Sequence, residues 1–123
     1  MPMHWAKAAA GTDDARFHVW RRRVKDHWYQ MRLIEGLNAR AHARVQALSR
    51  LEDWLGEHHN LSMLRAAILE QPRRFGDARS VDVVLGCIDK RQAALRQRAI
   101  RRGRSLFSAK PSSFRKQIIS WWP

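Results

Sequence analysis

Apolar residues recur every three or four positions along most of the chain, the spacing of helix faces, and no segment sustains the alternation of a half-buried strand. Phe17, Trp20, Val24, Trp28 and Met31 make one such stripe. "TDD" before it supplies a cap and first-turn acids, which predicts a helix beginning near Asp13. Gly36 and Asn38 are expected to end it. A second stripe of Val45, Leu48, Leu51 or Glu52, and Leu55 predicts a helix from about Ala39 to Leu55, with Gly56 as a left-handed stop. Asn60 is the expected cap of a third helix, "LSMLRAAILEQ", halted before Pro72. "PRRFGDARS" reads as a loop. Ser80 then caps a long fourth helix to about Phe107, with Val81, Val84, Leu85, Ile88, Leu95, Ala99 and Leu106 on one side. Pro111 suits the first position of a short last helix, "SSFRKQIISWW".

The expected fold class is therefore all-α: an antiparallel four-helix bundle plus a short C-terminal helix. Residues 1–12, with Pro2, an Ala run and Gly11, read as a flexible lead-in to a single helical domain at 13–123. The length of 123 residues suits one domain, and a 45% hydrophobic content is enough for a packed core. No apolar run approaches the roughly 20 residues of a membrane span. Nothing resembles a signal peptide, so a cytoplasmic protein is the default. Cys87 alone allows no intrachain disulfide, and its apolar neighbours predict an ordinary buried thiol.

Charge changes the picture most. Lys and Arg number 24 against 11 acids, a formal net charge of +13, and such self-repulsion disfavours compaction unless anions bind or screen it. The partner this implies is a polyanion: nucleic acid, an anionic surface or a phosphate polymer. The cations are also patterned. At about 100° per residue from His18, Arg21, Arg22, Lys25, Tyr29 and Arg32 all fall within about 60° of it, beside the apolar stripe. Like charges at these spacings repel, and only Asp14 and Asp26 lie near in sequence. Arg91, Arg98 and Arg102 share an arc of about 40° on the long fourth helix, with Arg101 and Arg104 extending the cover. If those two helices pack together, the rows would line one groove, better suited to a flexible phosphate chain than to rigid duplex DNA. Arg offers forked donors to phosphate oxygens, and Lys a point charge.

Catalytic and metal readings find less support. His58 and His59 are adjacent and do not face the same way on a helix, so no metal site is expected. His18 has no nucleophile with an orienting acid, so no catalytic residue is assigned. No cofactor is implied.

"HVWRRRVKDHWYQMRLI" followed by "LEDWLGEHHNLSMLRAAI" resembles the CHAD domain, the conserved histidine α-helical domain, and specifically its second half. The closing "ALRQRAIRRGRSLFSAKPSSF" is similar to that family's end, so the resemblance spans about 16–118. It implies an all-helical, non-catalytic protein that binds inorganic polyphosphate in a basic channel, often at polyphosphate granules. Carried over by position, His18, Arg21, Arg22 and Lys25 match the first motif and His59 the second. Arg98, Arg101, Arg102 and Lys110 match the closing helix in character. Arg32 and Arg91 join the set from helical geometry alone. Asn60 stands where the family usually has Asp, which removes any ion pair from that position but keeps a cap. The resemblance to one half of a double bundle implies either a fragment or association of two copies, with exposed apolar surface favouring a homodimer. The alternative is a helical nucleic-acid-binding protein, which an aromatic displayed for base stacking would favour. A phosphohydrolase acting on the same anion would need an acidic metal-binding cluster that the sequence lacks.

Overall fold

The computed structural model describes residues 14–109 and 111–122. The expected lead-in at 1–12 and the expected site residue Lys110 lie outside the described residues. The architecture is all-α, with four helices among the described residues: α1 (Asp14–Arg32), α2 (Ala39–Glu70), α3 (Ala78–Phe107) and α4 (Pro111–Trp121). Short 3-10 turns at Glu35–Leu37 and Pro72–Arg74 join the first three. No strand occurs among the described residues.

The helices begin and end differently from expectation in three places. α1 stops at Arg32, and Asn38, expected to end it, caps α2 instead by accepting a hydrogen bond from the Ala41 amide at 3.0 Å. Asp77, not Ser80, caps α3, and its carboxylate accepts from the Ser80 amide at 2.7 Å. The largest difference is at Gly56, where the expected break is absent and α2 runs unbroken for 32 residues. A helical glycine costs only about 1 kcal/mol. Beyond it, His58, Leu61 and Ile68 pack on neighbouring helices, and that tertiary gain outweighs the local penalty.

α2 is the central element, packed along α1 on one flank and α3 on the other. The core collects Phe17, Trp20, Val24 and Met31 from α1, Val45, Leu48, Leu51 and Leu55 from α2, and Ala99 and Phe107 from α3. Those four α1 residues and the four from α2 are the positions that the sequence spacing selects. α4 closes one end: Trp121 is buried, and its carbonyl accepts from Asn38 Nδ2 at 3.2 Å. At the other end α1 begins at Asp14, which Ser62 and Arg96 hold. Past that point α2 and α3 continue as a two-helix arm around a small separate cluster of Ile68, Val81 and Ile88. Met63, Leu69 and Val83 on this arm are exposed, as is Cys87, which was expected to be buried. Among the described residues the arm is two helices thick, so it has fewer inward positions than a bundle offers.

Candidate functional site

The basic stripe of α1 lies along its seam with α2. His18, Arg21 and Lys25 are half-buried there, and Arg22 and Arg32 are exposed. The His18 ring stacks on His59 of α2, with centroids 4.4 Å apart and planes 20° from parallel. This joins the two histidines that the family motifs single out. Desolvation pulls the His18 pKa below its ordinary value, with His59, Arg22 and Arg21 adding to the effect. The free protein therefore disfavours a charge on His18, as expected of a ring inside a cationic patch.

One turn along, Arg21 Nε lies 3.4 Å from Glu52 Oε1, an ion pair whose geometry leaves Nε without a hydrogen bond. Its guanidinium passes over Gly56, where an added Cβ would sit 3.5 Å from Nε. The glycine that fails to stop the helix thus keeps the seam low beneath Arg21. Arg22 and Lys25 have no hydrogen bond or ion pair with any described residue. Arg32 lies over the Trp28 ring, 4.9 Å from its centroid, and Tyr29 next to it is 53% exposed.

The second row meets a different flank of α2. Arg91 grips the Glu57 carboxylate with both faces of its fork, Nε at 2.5 Å and Nη2 at 3.1 Å. That hydrogen-bonded pair holds the Glu57 carboxyl below its usual range, with a smaller contribution from Arg98. Arg98 and Arg101 are exposed and Arg102 is half-buried. Around α2, Glu57 stands about 140–160° from the Glu52 and His59 edge. His18 accordingly feels Arg21, Arg22 and His59, while Glu57 feels Arg91 and Arg98. The two rows flank the outward ridge of α2 rather than facing each other across one groove, because the central helix stands between them.

The acids that temper both rows come from α2, and no short-range sequence pattern links them to their partners. A second network also escapes sequence reasoning. His58 is 2% exposed and stacks on Phe17 at 4.9 Å. Arg96 Nη2 donates to Asp14 Oδ1 and approaches His58 Nε2, both at 3.2 Å. Gln92 Nε2 donates to Ser62 Oγ at 2.7 Å, and Ser62 donates to Asp14. Burial and the Arg96 charge lower the His58 pKa. The spacing of His58 from Leu51 and Leu55 is the signal of its burial, but it is visible only if the helix is read through Gly56. His58 is therefore a core residue, and His59 alone faces the basic seam.

Among the described residues no group of three His, Cys, Asp or Glu side chains is arranged to hold a metal ion. No described helix is long and apolar enough to cross a membrane. One protein family, described as the CHAD domain, matches residues 3–69. The matched region takes in α1 with its basic stripe and α2 with His59, and it ends before α3. No curated protein and no solved structure matches the chain.

Proposed function

The chain belongs to the CHAD domain family, and we propose that it binds inorganic polyphosphate as a non-catalytic module, with the α1–α2 seam as the principal contact. The observation that carries this reading is the cluster of Arg22 and Lys25, both without an acidic partner among the described residues, beside Arg21 and the His18–His59 stack. Such cations raise the energy of the free protein by mutual repulsion, and a multivalent anion relieves it. Arg98, Arg101 and Arg102 on the opposite flank give a flexible polymer a second set of contacts over the α2 ridge. Arg91 is already neutralised by Glu57 and contributes least. Binding of this kind is driven by charge and falls steeply with salt.

The test is a competition titration of polyphosphate against single-stranded RNA and duplex DNA of matched charge, repeated across salt. The expected result is preference for polyphosphate at moderate salt and a steep loss of affinity as salt rises. Equal binding of RNA would overturn the selectivity. Incubation with polyphosphate and magnesium should release no phosphate.

One observation favours a second reading, a single-stranded nucleic acid. Tyr29 is exposed at the end of the basic stripe, beside Arg32, where a base would stack. Tyr29→Ala separates the two: loss of RNA affinity with unchanged polyphosphate affinity supports the nucleic acid. Self-association belongs to the proposal as well, since the α2–α3 arm exposes Met63, Leu69 and Val83. Sedimentation at several concentrations should show a dimer, and Leu69→Glu a monomer. Cytoplasmic and granule-associated location is the setting the anion implies.

A further inference from the structure

A cavity of ≈ 320 Å³ lies where α1, α2, the end of α3 and α4 converge, on the far side of the core from the α2–α3 arm. Its walls are largely hydrocarbon, including Met31, Ile34, Phe114 and Ile118. Three polar side chains, Arg44, His27 and Gln30, also line it, and Arg44 carries the charge. Arg44 Nε donates to His27 Nε2 at 3.3 Å, and Nη2 donates to the Leu106 carbonyl at 3.0 Å. The guanidinium also lies over the Phe114 ring, 4.3 Å from its centroid.

These contacts fix Arg44 in place but do not neutralise it. Arginine Nε is always a donor, so His27 Nε2 must accept, and the ring is neutral. Burial and the Arg44 charge hold the His27 pKa down to about 4, against a hydrogen bond with Gln30 that favours the proton. Burial also lowers the Arg44 pKa, to about 10, which still leaves a full cation at neutral pH. No Asp or Glu among the described residues pairs with it. An arginine with spare donors thus stands in an apolar cavity without a counter-charge among the described residues, an arrangement that costs free energy until an anion arrives.

We propose that this cavity is a binding site for a small monocarboxylate with an apolar tail, its carboxylate on Arg44 and its tail among Met31, Ile34, Phe114 and Ile118. Charge complementarity selects the head group and the walls select the tail. A single arginine fork matches one carboxylate. A polyphosphate segment would press its remaining charges against hydrocarbon, and an amine would be repelled. The volume lies at the lower end for ligand pockets, suited to an acid of about 8–12 non-hydrogen atoms. This site is separate from the α1–α2 seam and does not depend on what binds there.

The experiment is calorimetric titration of the full chain with octanoate, octanol and octylamine. Saturable binding of one octanoate is expected, at least about tenfold tighter than octanol, since a charge-assisted fork supplies that much discrimination. Octylamine should not bind. Arg44→Met should remove the preference for the acid, and Ile34→Trp, which fills the cavity while leaving Arg44 intact, should block octanoate with helicity unchanged. Arg22→Ala with Lys25→Ala should leave octanoate binding unaltered, and excess polyphosphate should not displace it. Octanol binding as tightly as octanoate, octanoate binding that survives Ile34→Trp, or displacement by polyphosphate would each overturn the proposal.

Discussion

Two histidines of α1, His18 and His27, stand nine residues apart and have opposite environments. At the α1–α2 seam, His18 is half-buried, stacks on His59 and shares its surroundings with Arg21, Arg22 and Lys25. Near the other end, His27 is 7% exposed and accepts a hydrogen bond from Arg44. Both rings are pushed toward the neutral form by desolvation first and by nearby positive charge second. The difference lies in what can reach them. The seam is open to solvent and to anions, so an arriving phosphate would reverse the penalty on His18. Around His27 the protein has already supplied fixed partners, so its neutrality is part of folding. In the function proposed above, His18 would take part in recognition, whereas His27 is held neutral by the fold and fixes Arg44 in place.

The largest effect expected from this contrast is on stability. His27 has a pKa near 4 when folded and the ordinary 6.5 when unfolded. Folding therefore favours its neutral form. That contribution is fully present above about pH 6.5 and is lost as pH falls toward 4, amounting to about 3 kcal/mol. Urea unfolding from pH 7 to 4 should show this decline, and His27→Gln, which retains an acceptor for Arg44, should flatten it. An equally steep decline in the variant would place the titration elsewhere.

Next comes the seam. Arg22→Ala with Lys25→Ala should weaken polyphosphate binding by about 30-fold, about 2 kcal/mol, without altering the circular dichroism. Arg91→Ala, on the flank where Glu57 already satisfies the charge, should change affinity less than threefold. Equal losses from both would erase the distinction between paired and unpaired arginines.

Gly56→Ala probes the floor of the seam. The added methyl meets Arg21 at an ordinary contact distance, so helix propensity should dominate and raise stability by about 0.5–1 kcal/mol. Polyphosphate affinity should stay within about twofold; a larger drop would route the polymer directly over Gly56. The smallest expected effect is proton linkage at His18. Its lowered pKa in the free protein rises when an anion binds, so affinity should increase, less than tenfold, as pH falls from 7.5 to 5.5. In His18→Gln that increase should diminish, and no increase at all in the native chain would remove His18 from the contact.

Much of this was legible in order along the chain. The stripes of α1 and of the first half of α2 are core because helical spacing alone places them on one face. The cationic row of α1 was equally legible, since His18, Arg21, Arg22 and Lys25 share that face's border. His18 and His59 each entered the candidate set from the family motifs, and only the packing of α1 on α2 brings their rings together. Other features were not legible for a common reason. Gly56 and Asn60 carry local stop and cap signals that tertiary packing overrides across a continuous α2. Glu52 and Glu57 neutralise arginines 31 and 34 positions away, and no periodicity within one helix encodes such partners.

The sequence by itself determined that this chain would be helical, which residues of α1 and of the first half of α2 would face inward and that a dense positive charge would border the core. Those properties depend on neighbours within one or two turns, where the period of the helix converts spacing into direction. Only the tertiary structure decided which cations keep their charge free. α2 stands between α1 and α3, sends Glu52 to one row and Glu57 to the other, and keeps the rows on separate flanks. That outcome depends on the rotation of packed helices about their axes, a relation between distant segments.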